Sequence, residues 1–303
     1  MKKIKVGVVG YGNLGSSIAK LVSTDERFEL VAIFSRREIT SAYGKVERYD
    51  DIENYKGKID IMFLCGGSFS SLQDQAKRVL KTFNCIDAFD THKKIKNHID
   101  CCNKIAIENQ KVAFCSFGWD PGLFSLMRLI FHAIEGVCYT DWGKGISEGH
   151  TEAIKQIKNV KDAVQYTVPN QNLIKKLKQG KTINLNHLHK RICYVYAEKD
   201  YVKIKKKILK IPNYFKGQKV KIKFVENHKL QELKKSYHKG EVFAPHDTLN
   251  FSLKTDSNPI ITAKILIAFS IVLNEYIIQK KYGAYSILEI NFQNLEKCYK
   301  NYI

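Results

Sequence analysis

The chain has 303 residues, 44% of them hydrophobic, and carries 50 Lys and Arg against 30 Asp and Glu for a formal charge of +20. That length and apolar content exclude a disordered or collagen-like chain and allow two domains, or one large domain with an inserted lobe. The lysines are dispersed over 155–161, 175–181, 203–210 and 216–223 without a helix-turn-helix or RNA-binding signature, so they read as solvated faces and no nucleic-acid partner is expected. A positive field of this kind favours an anionic cofactor or a dicarboxylate. The apolar run near the N-terminus, broken by Gly10, Gly12 and Asn13, is shorter than a signal-peptide core of about 7–15 residues. The longest apolar stretch, 259–278, contains Lys264, Asn274 and Glu275, which predicts a buried helix, no membrane span and a cytoplasmic protein. Eight cysteines lie scattered without a Cys-x-x-Cys pair, and most fall inside apolar runs; reduced core thiols are expected and no metal.

Residues 1–118 alternate short β-branched runs with amphipathic segments, the pattern of a parallel sheet with crossover helices. Strands are predicted at 4–9, 30–35, 59–65, 85–88 and 112–116, and helices at 14–23 and 71–82. From about Trp119 the texture changes: 190–197 and 219–225 alternate polar with apolar residues, as half-buried antiparallel strands do. Pro259 opens a long apolar helix predicted to end near Gly283 and to pack back on the first domain. The expected fold is therefore α/β, a Rossmann-type doubly wound parallel sheet with a second α+β lobe. Residues 1–118 form the dinucleotide-binding domain, with about 259–303 returning to it, and 119–258 form the substrate-binding and dimerisation lobe.

After the first predicted strand comes Gly10-Tyr11-Gly12-Asn13-Leu14-Gly15. In that context Gly10 permits a tight turn, Gly12 allows a pyrophosphate to approach the backbone, and Gly15 lets the helix pack on the strand; the helix amides then face the anion. About 20 residues on, where an NAD enzyme carries an acid for the ribose hydroxyls, the second strand ends in Ser35-Arg36-Arg37. Two guanidiniums and a hydroxyl suit a 2′-phosphate, which predicts NADP(H) as cofactor.

Further along stand Phe63-Leu64-Cys65, Gly67-Ser68, Gly118-Trp119-Asp120-Pro121-Gly122, Trp142-Gly143, Gly149-His150, Val164-Gln165-Tyr166-Thr167, His189-Lys190-Arg191 and Asn258-Pro259. Together with the glycine loop, these blocks span most of the chain, and the sequence resembles the meso-diaminopimelate dehydrogenases. The Gly-Trp-Asp-Pro-Gly and Gln-Tyr-Thr blocks discriminate far better than the glycine loop. Where sugar oxidoreductases of related fold place Glu-Lys-Pro, this chain has Phe89-Asp90-Thr91-His92.

The resemblance implies a substrate that is a small dicarboxylic diamino acid, oxidised at its D-amino end with release of ammonia, in a homodimer. It implies that Asp90 and Asp120 hold the reacting centre near the cofactor, and that His150 assists proton transfer or binds a carboxylate. Thr167, Arg191 and His238 would grip the remote carboxylate and Asn258 the remote amine, while Trp119, Trp142 and Gly149 shape the pocket. Cys65, Gly67, Ser68 and His92 would join the cofactor-binding set. Two departures stand out: Glu148 replaces the expected Gln before Gly149-His150, and 236–246 matches only in part, with His246 close to His238. Alternative readings are a dehydrogenase for another D-amino or diamino acid, and a non-catalytic NADP(H)-binding sensor.

Overall fold

The computed structural model describes residues 3–68, 71–212, 214–234 and 238–298. Ser236 and Tyr237, in the stretch that departs from the family pattern, lie outside the described residues. The chain divides into two compact units, residues 1–125 with 259–303, and residues 126–258.

The first unit is built on strands β1 (Ile4–Val9), β2 (Phe28–Ser35), β3 (Val46–Arg48), β4 (Ile61–Leu64), β5 (Asn84–Asp87) and β6 (Val112–Phe114) with helices α1 (Asn13–Ser23), α2 (Leu72–Val79) and α3 (Ile95–Glu108). Helix α4 (Leu123–Glu135) follows β6. Every ladder in this sheet is parallel. Alternation sends the two faces of each strand into separate cores, which is why these strands read as unbroken apolar runs. Val6, Val8, Ile33, Ile61 and Phe63 enter one core, whereas Val9, Phe34, Met62 and Leu64 enter the other. The first core also contains Leu266, Phe269, Val272 and Tyr276 of α9 (Asn258–Ile278), a helix apolar on all sides. Among the described residues it is the one helix long and apolar enough to cross a membrane, and 56% of its apolar window is buried inside the fold.

That helix does not run on to Gly283. It stops at Ile278, where Lys280 adopts φ 53° and the Lys281 amide returns to the Tyr276 carbonyl. The chain then forms β14 (Gly283–Tyr285), which adds a parallel strand beside β6 and gives the order β14-β6-β5-β4-β1-β2-β3. The first unit also extends past residue 118. The Gly118–Gly122 turn bridges onto itself, and Trp119 packs edge-on against Phe124, so this turn belongs with the parallel sheet rather than with the second lobe.

The second unit contains β7 (Tyr139–Asp141), β8 (Gly145–Ile146), α5 (Glu148–Lys155), β9 (Val160–Pro169), α6 (Gln171–Lys178), β10 (His189–Ala197), α7 (Tyr201–Lys210), β11 (Val220–Phe224), α8 (Asn227–Leu233), β12 (His238–Phe243) and β13 (Asn250–Thr255). Strands β8 to β11 form one sheet in the order β11-β10-β9-β8, and β7, β12 and β13 form another in the order β13-β12-β7. One expectation changes here: β11 pairs with β10 in parallel, because α7 carries the chain back before β11 begins. Alternation reports which face a residue takes, and it is the same for either strand direction.

Candidate active site

In the first unit, the predicted nucleotide residues all follow the carboxyl ends of parallel strands, where sheets of this type bind ligands. Gly10 turns at φ 94° after β1 and donates its amide to the Phe34 carbonyl at 2.9 Å. A Cβ on Gly15 would meet the Gly10 carbonyl oxygen at 1.9 Å, so the helix packs against the turn at a distance only glycine allows. A Cβ on Gly12 would meet nothing within 4 Å, and Gly12 caps α1 without a side-chain hydrogen bond or an acid in the first turn. Open space above an uncapped helix start fits a pyrophosphate. Asn13 and Leu14 open that helix, and Tyr11 donates its hydroxyl to Ser41 Oγ at 2.8 Å.

Ser35 is buried at the end of β2, and its hydroxyl accepts from the Arg37 amide and donates to the Arg37 carbonyl, bending the chain so that Arg36 and Arg37 are exposed. The Arg36 guanidinium lies 5.6 Å from the ring centre of Tyr49, whose other cationic neighbour is Arg78 at 4.6 Å. Ser35 in place of an acid as the last residue of β2, followed by the exposed Arg36 and Arg37, fits the phosphorylated dinucleotide. Past β4, the Cys65 amide donates to the Val9 carbonyl, and burial pushes its thiol well above the ordinary cysteine range. Gly67 accepts from the amides of Ser71 and Leu72. The Ser68 hydroxyl accepts from the Asp90 amide at 3.0 Å, which ties the loop after β4 to the loop after β5. Burial raises the Asp90 carboxyl, against the opposing pull of Ser68 and His92. His92 is exposed at the start of a short 3-10 turn. Asp120 precedes Pro121 through a cis peptide, and Gly122 at φ 124° places its hydrogen where a Cβ would be 1.9 Å from the Gly118 oxygen.

In the second unit, Thr167 and Arg191 are direct register partners on β9 and β10, and the guanidinium donates from Nη1 to Thr167 Oγ1. Arg191 Nε is buried and has no partner among the described residues. Burial pulls this guanidinium down to about 10. On the other side of Thr167, its register partner is Gly145 of β8, and a Cβ on Gly145 would lie 2.8 Å from His238 Nδ1. The fold thus brings Thr167, Arg191 and His238 to one place, from three strands far apart in sequence. Burial pulls His238 down to about 4, so it is neutral at ordinary pH. His246 goes elsewhere: it is exposed and packs on Gly180.

Trp142 packs its ring 5.2 Å from that of His189 and donates its amide to His189 Nε2, which also meets Asp141 at 3.1 Å. His150 lies on α5 with Nδ1 2.8 Å from Ser147 Oγ, and Tyr214 and Phe215 stand edge-on to its ring at 4.9 and 5.2 Å. Glu148 and Gly149 are the first two residues of α5, and Asn258 is the first of α9.

Several polar residues were given no role in the sequence reading. Gln165 is fully buried two positions before Thr167, on the same face of β9, and neither amide atom has a partner among the described residues. Asp87 and His98 form a buried pair at 2.8 Å. The ligand atoms of His98, Cys102 and Cys115 lie within 4.8 Å of one another. However, His98 Nε2 is engaged by Asp87, and Cys102 Sγ is 3.8 and 3.9 Å from the two ring nitrogens, so neither nitrogen is directed at it alone. The sole sequence signal for this cluster was the four-residue spacing of His98 and Cys102 on one helical face.

Comparisons with known proteins identify the family. The model of the diaminopimelic acid dehydrogenase C-terminal domain matches residues 118–257. The meso-diaminopimelate D-dehydrogenase of Ureibacillus thermosphaericus is 37% identical over 313 residues, covering 96% of this chain and 95% of the relative. Its counterpart from Corynebacterium glutamicum is 35% identical over 302 residues, covering 96% and 94%. Among solved structures, an engineered D-amino acid dehydrogenase bound to NADP+ matches with a TM-score of 0.91 and 30% identity, over 100% of this chain and 98% of that one. The C. glutamicum DAP dehydrogenase in complex with DAP matches at 0.87 and 31%, over 97% and 96%. With more than a third of its residues identical across nearly its whole length, this chain belongs to the meso-diaminopimelate D-dehydrogenase family.

Proposed function

We propose that this protein catalyses the reversible oxidative deamination of meso-2,6-diaminopimelate at its D-centre. Substrate, water and NADP+ give L-2-amino-6-oxopimelate, ammonium, NADPH and a proton, and the reverse direction serves lysine and peptidoglycan-precursor synthesis. The observation that carries this reading is the grouping of Thr167, Arg191 and His238. A simple D-amino acid has no second carboxylate, whereas a buried guanidinium with an unused N–H is suited to one.

When bound, NADP+ supplies the acceptor for the hydride that leaves the substrate Cα. Gly10, Gly12 and the amides at the start of α1 hold its pyrophosphate, and Ser35, Arg36 and Arg37 hold the 2′-phosphate. Tyr11, Cys65, Gly67, Ser68 and His92 complete that binding set. Asp90 and Asp120 grip the D-ammonium group and orient its Cα hydrogen, so that most of the catalytic effect is positional. The Ser147 contact fixes the His150 ring, which moves a proton at the attacking water or steadies the reacting carboxylate. Trp119 and Trp142 are the apolar walls that exclude bulk water, Gly149 leaves backbone within reach of substrate, and Asn258 accepts from the remote ammonium. His238 stays neutral and contributes a hydrogen bond rather than a charge. We further assign the second unit, residues 126–258, to substrate binding and to dimerisation in a homodimer.

Glu148 favours a second reading, a dehydrogenase for another D-amino or diamino acid, because an acid beside His150 would repel a substrate carboxylate. Lys155 of the same helix feels the charge of Glu148, which moderates that repulsion. The test is NADP+ reduction with meso-, L,L- and D,D-diaminopimelate beside simple D-amino acids. Strong preference for the meso isomer is expected; equal rates with monocarboxylic D-amino acids would favour the second reading. Size-exclusion chromatography with light scattering checks the dimer.

A further inference from the structure

We propose that Asp87 and His98 are positioning residues for the deamination: a buried carboxylate–imidazole pair that locks together the two loops bearing Asp90 and Asp120. The inference rests on the roles given above to those two acids.

Asp87 is the last residue of β5 and is fully buried. Its Oδ1 accepts from the amides of Phe89 and Ser116, each at 2.9 Å, and its main-chain carbonyl accepts from the Phe117 amide at 2.8 Å. Phe89 immediately precedes Asp90, while Ser116 and Phe117 lead into Gly118-Trp119-Asp120. The β5–β6 ladder pairs Cys85 with Ala113 and Ile86 with Phe114. Beyond these pairs, the Asp87 carboxylate and carbonyl continue the connection between the two chains. One oxygen atom therefore sets the spacing of both loops.

Ser116 shows what this connection holds in place. Its φ of 66° is a left-handed conformation that a residue with a Cβ seldom adopts. The hydrogen bond that its amide donates to Asp87 Oδ1 holds it there, and the chain is thereby directed towards the Gly118–Gly122 turn.

His98 secures the other half of the carboxylate. From α3 it meets Asp87 Oδ2 with Nε2 at 2.8 Å, and its ring stacks on Phe89 with centres 4.4 Å apart and planes 26° apart. It thus contacts both the carboxylate and the residue before Asp90. Burial opposes charge on the imidazole, but Asp87 outweighs this and pushes it up to about 10, so the imidazole is protonated at neutral pH. Buried ion pairs seldom add net stability over an apolar replacement of the same shape. A charge-assisted acceptor for two amides, however, fixes backbone geometry more firmly than a neutral one. Loop placement matters because a displacement of about 1 Å in a reacting group lowers turnover about 100-fold.

The test uses full-length Asp87→Ala, Asp87→Asn and His98→Gln beside Asp90→Asn and Asp120→Asn. Folding is checked by circular dichroism and NADPH binding by tryptophan quenching. Turnover of meso-diaminopimelate is measured with and without deuterium at the reacting Cα. Asp87→Ala should lower kcat about 30-fold or more with a larger isotope effect, while NADPH affinity stays within about threefold. Asp87→Asn keeps an oxygen for the two amides and should recover about tenfold over Ala, and His98→Gln should lose about fivefold in kcat. The inference is overturned if folded Asp87→Ala or His98→Gln turns over within about twofold of wild type, or if NADPH binding falls in step with kcat. Should Asp87→Ala not fold, normal kcat in both Asp87→Asn and His98→Gln overturns it. Normal turnover in Asp90→Asn and Asp120→Asn would instead refute the substrate grip and this inference with it. Loss of turnover in Asp90→Asn and Asp120→Asn beside normal turnover in Asp87→Ala refutes this inference alone.

Discussion

Arg191→Met should move folding stability and substrate binding in opposite directions. Burial pulls the Arg191 guanidinium well below the ordinary arginine range, to about 10. A lowered value on a basic group means the fold disfavours the charged form. The difference corresponds to about 3 kcal/mol, at its full value below the folded pKa and relieved only as pH rises through it. The residue is half-buried, so this is an upper figure. The hydrogen bond to Thr167 Oγ1 returns about 1.5 kcal/mol of it. Met keeps the unbranched stem and removes the charge, so the protein should gain about 1 kcal/mol. Binding should weaken. A carboxylate that loses its paired N–H donors in a dry site gives up about 3–4 kcal/mol, equivalent to a rise in KM for meso-diaminopimelate of about 100- to 1000-fold. KM for NADP+ should not change, since the nucleotide residues belong to the first unit. Substrate titrations followed by NADPH absorbance, with urea unfolding followed by tryptophan fluorescence, measure both effects. A KM for substrate within threefold of wild type, or a lower urea midpoint with both KM values raised, would refute the reasoning.

The cofactor assignment is tested by Arg36→Ala with Arg37→Ala, which should lower the preference for NADP+ over NAD+ about 10- to 100-fold by removing charged hydrogen bonds to the 2′-phosphate. An unchanged preference ratio would sink it. The glycine loop offers a paired test. Gly15→Ala drives its Cβ into the Gly10 carbonyl at 1.9 Å and should lose well over 1 kcal/mol of stability, whereas Gly12→Ala meets open space and should fold normally but bind NADP+ more than about tenfold more weakly. Equal melting curves for the two variants would contradict the packing, and normal NADP+ affinity in Gly12→Ala would contradict the binding role. His238, pulled from 6.5 to about 4, contributes stability above pH 6.5 that is lost as pH falls towards 4, by about 3 kcal/mol in all. His238→Gln should therefore lessen the acid dependence of unfolding between those values; an identical pH profile would refute this.

Much of the first unit was legible because its signals are local. The apolar run of 4–9, the glycines at 10, 12 and 15, and the spacing of 14–23 each act within one strand, turn or helix turn, and the first strand was predicted at its observed limits. Ser35-Arg36-Arg37 was equally open to reading, since a strand end followed by guanidiniums carries its chemistry in three adjacent residues. The family blocks marked Thr167 and Arg191, and the resemblance implied His238, yet nothing in their spacing announced that Gly145 would bring the histidine beside the other two.

By itself, then, the sequence determined the main strands and helices of the parallel sheet, the glycine turn after the first strand, and the family to which the chain belongs. Tertiary structure alone decided the parallel pairing of β11, the return of β14 to the sheet, and the junction of Asp87, His98, Phe89 and Ser116. The physical reason is range. Side-chain periodicity and turn stereochemistry act over a few neighbouring residues, whereas strand direction and buried hydrogen-bond partners depend on where distant segments meet, which alternation of polar and apolar residues does not encode.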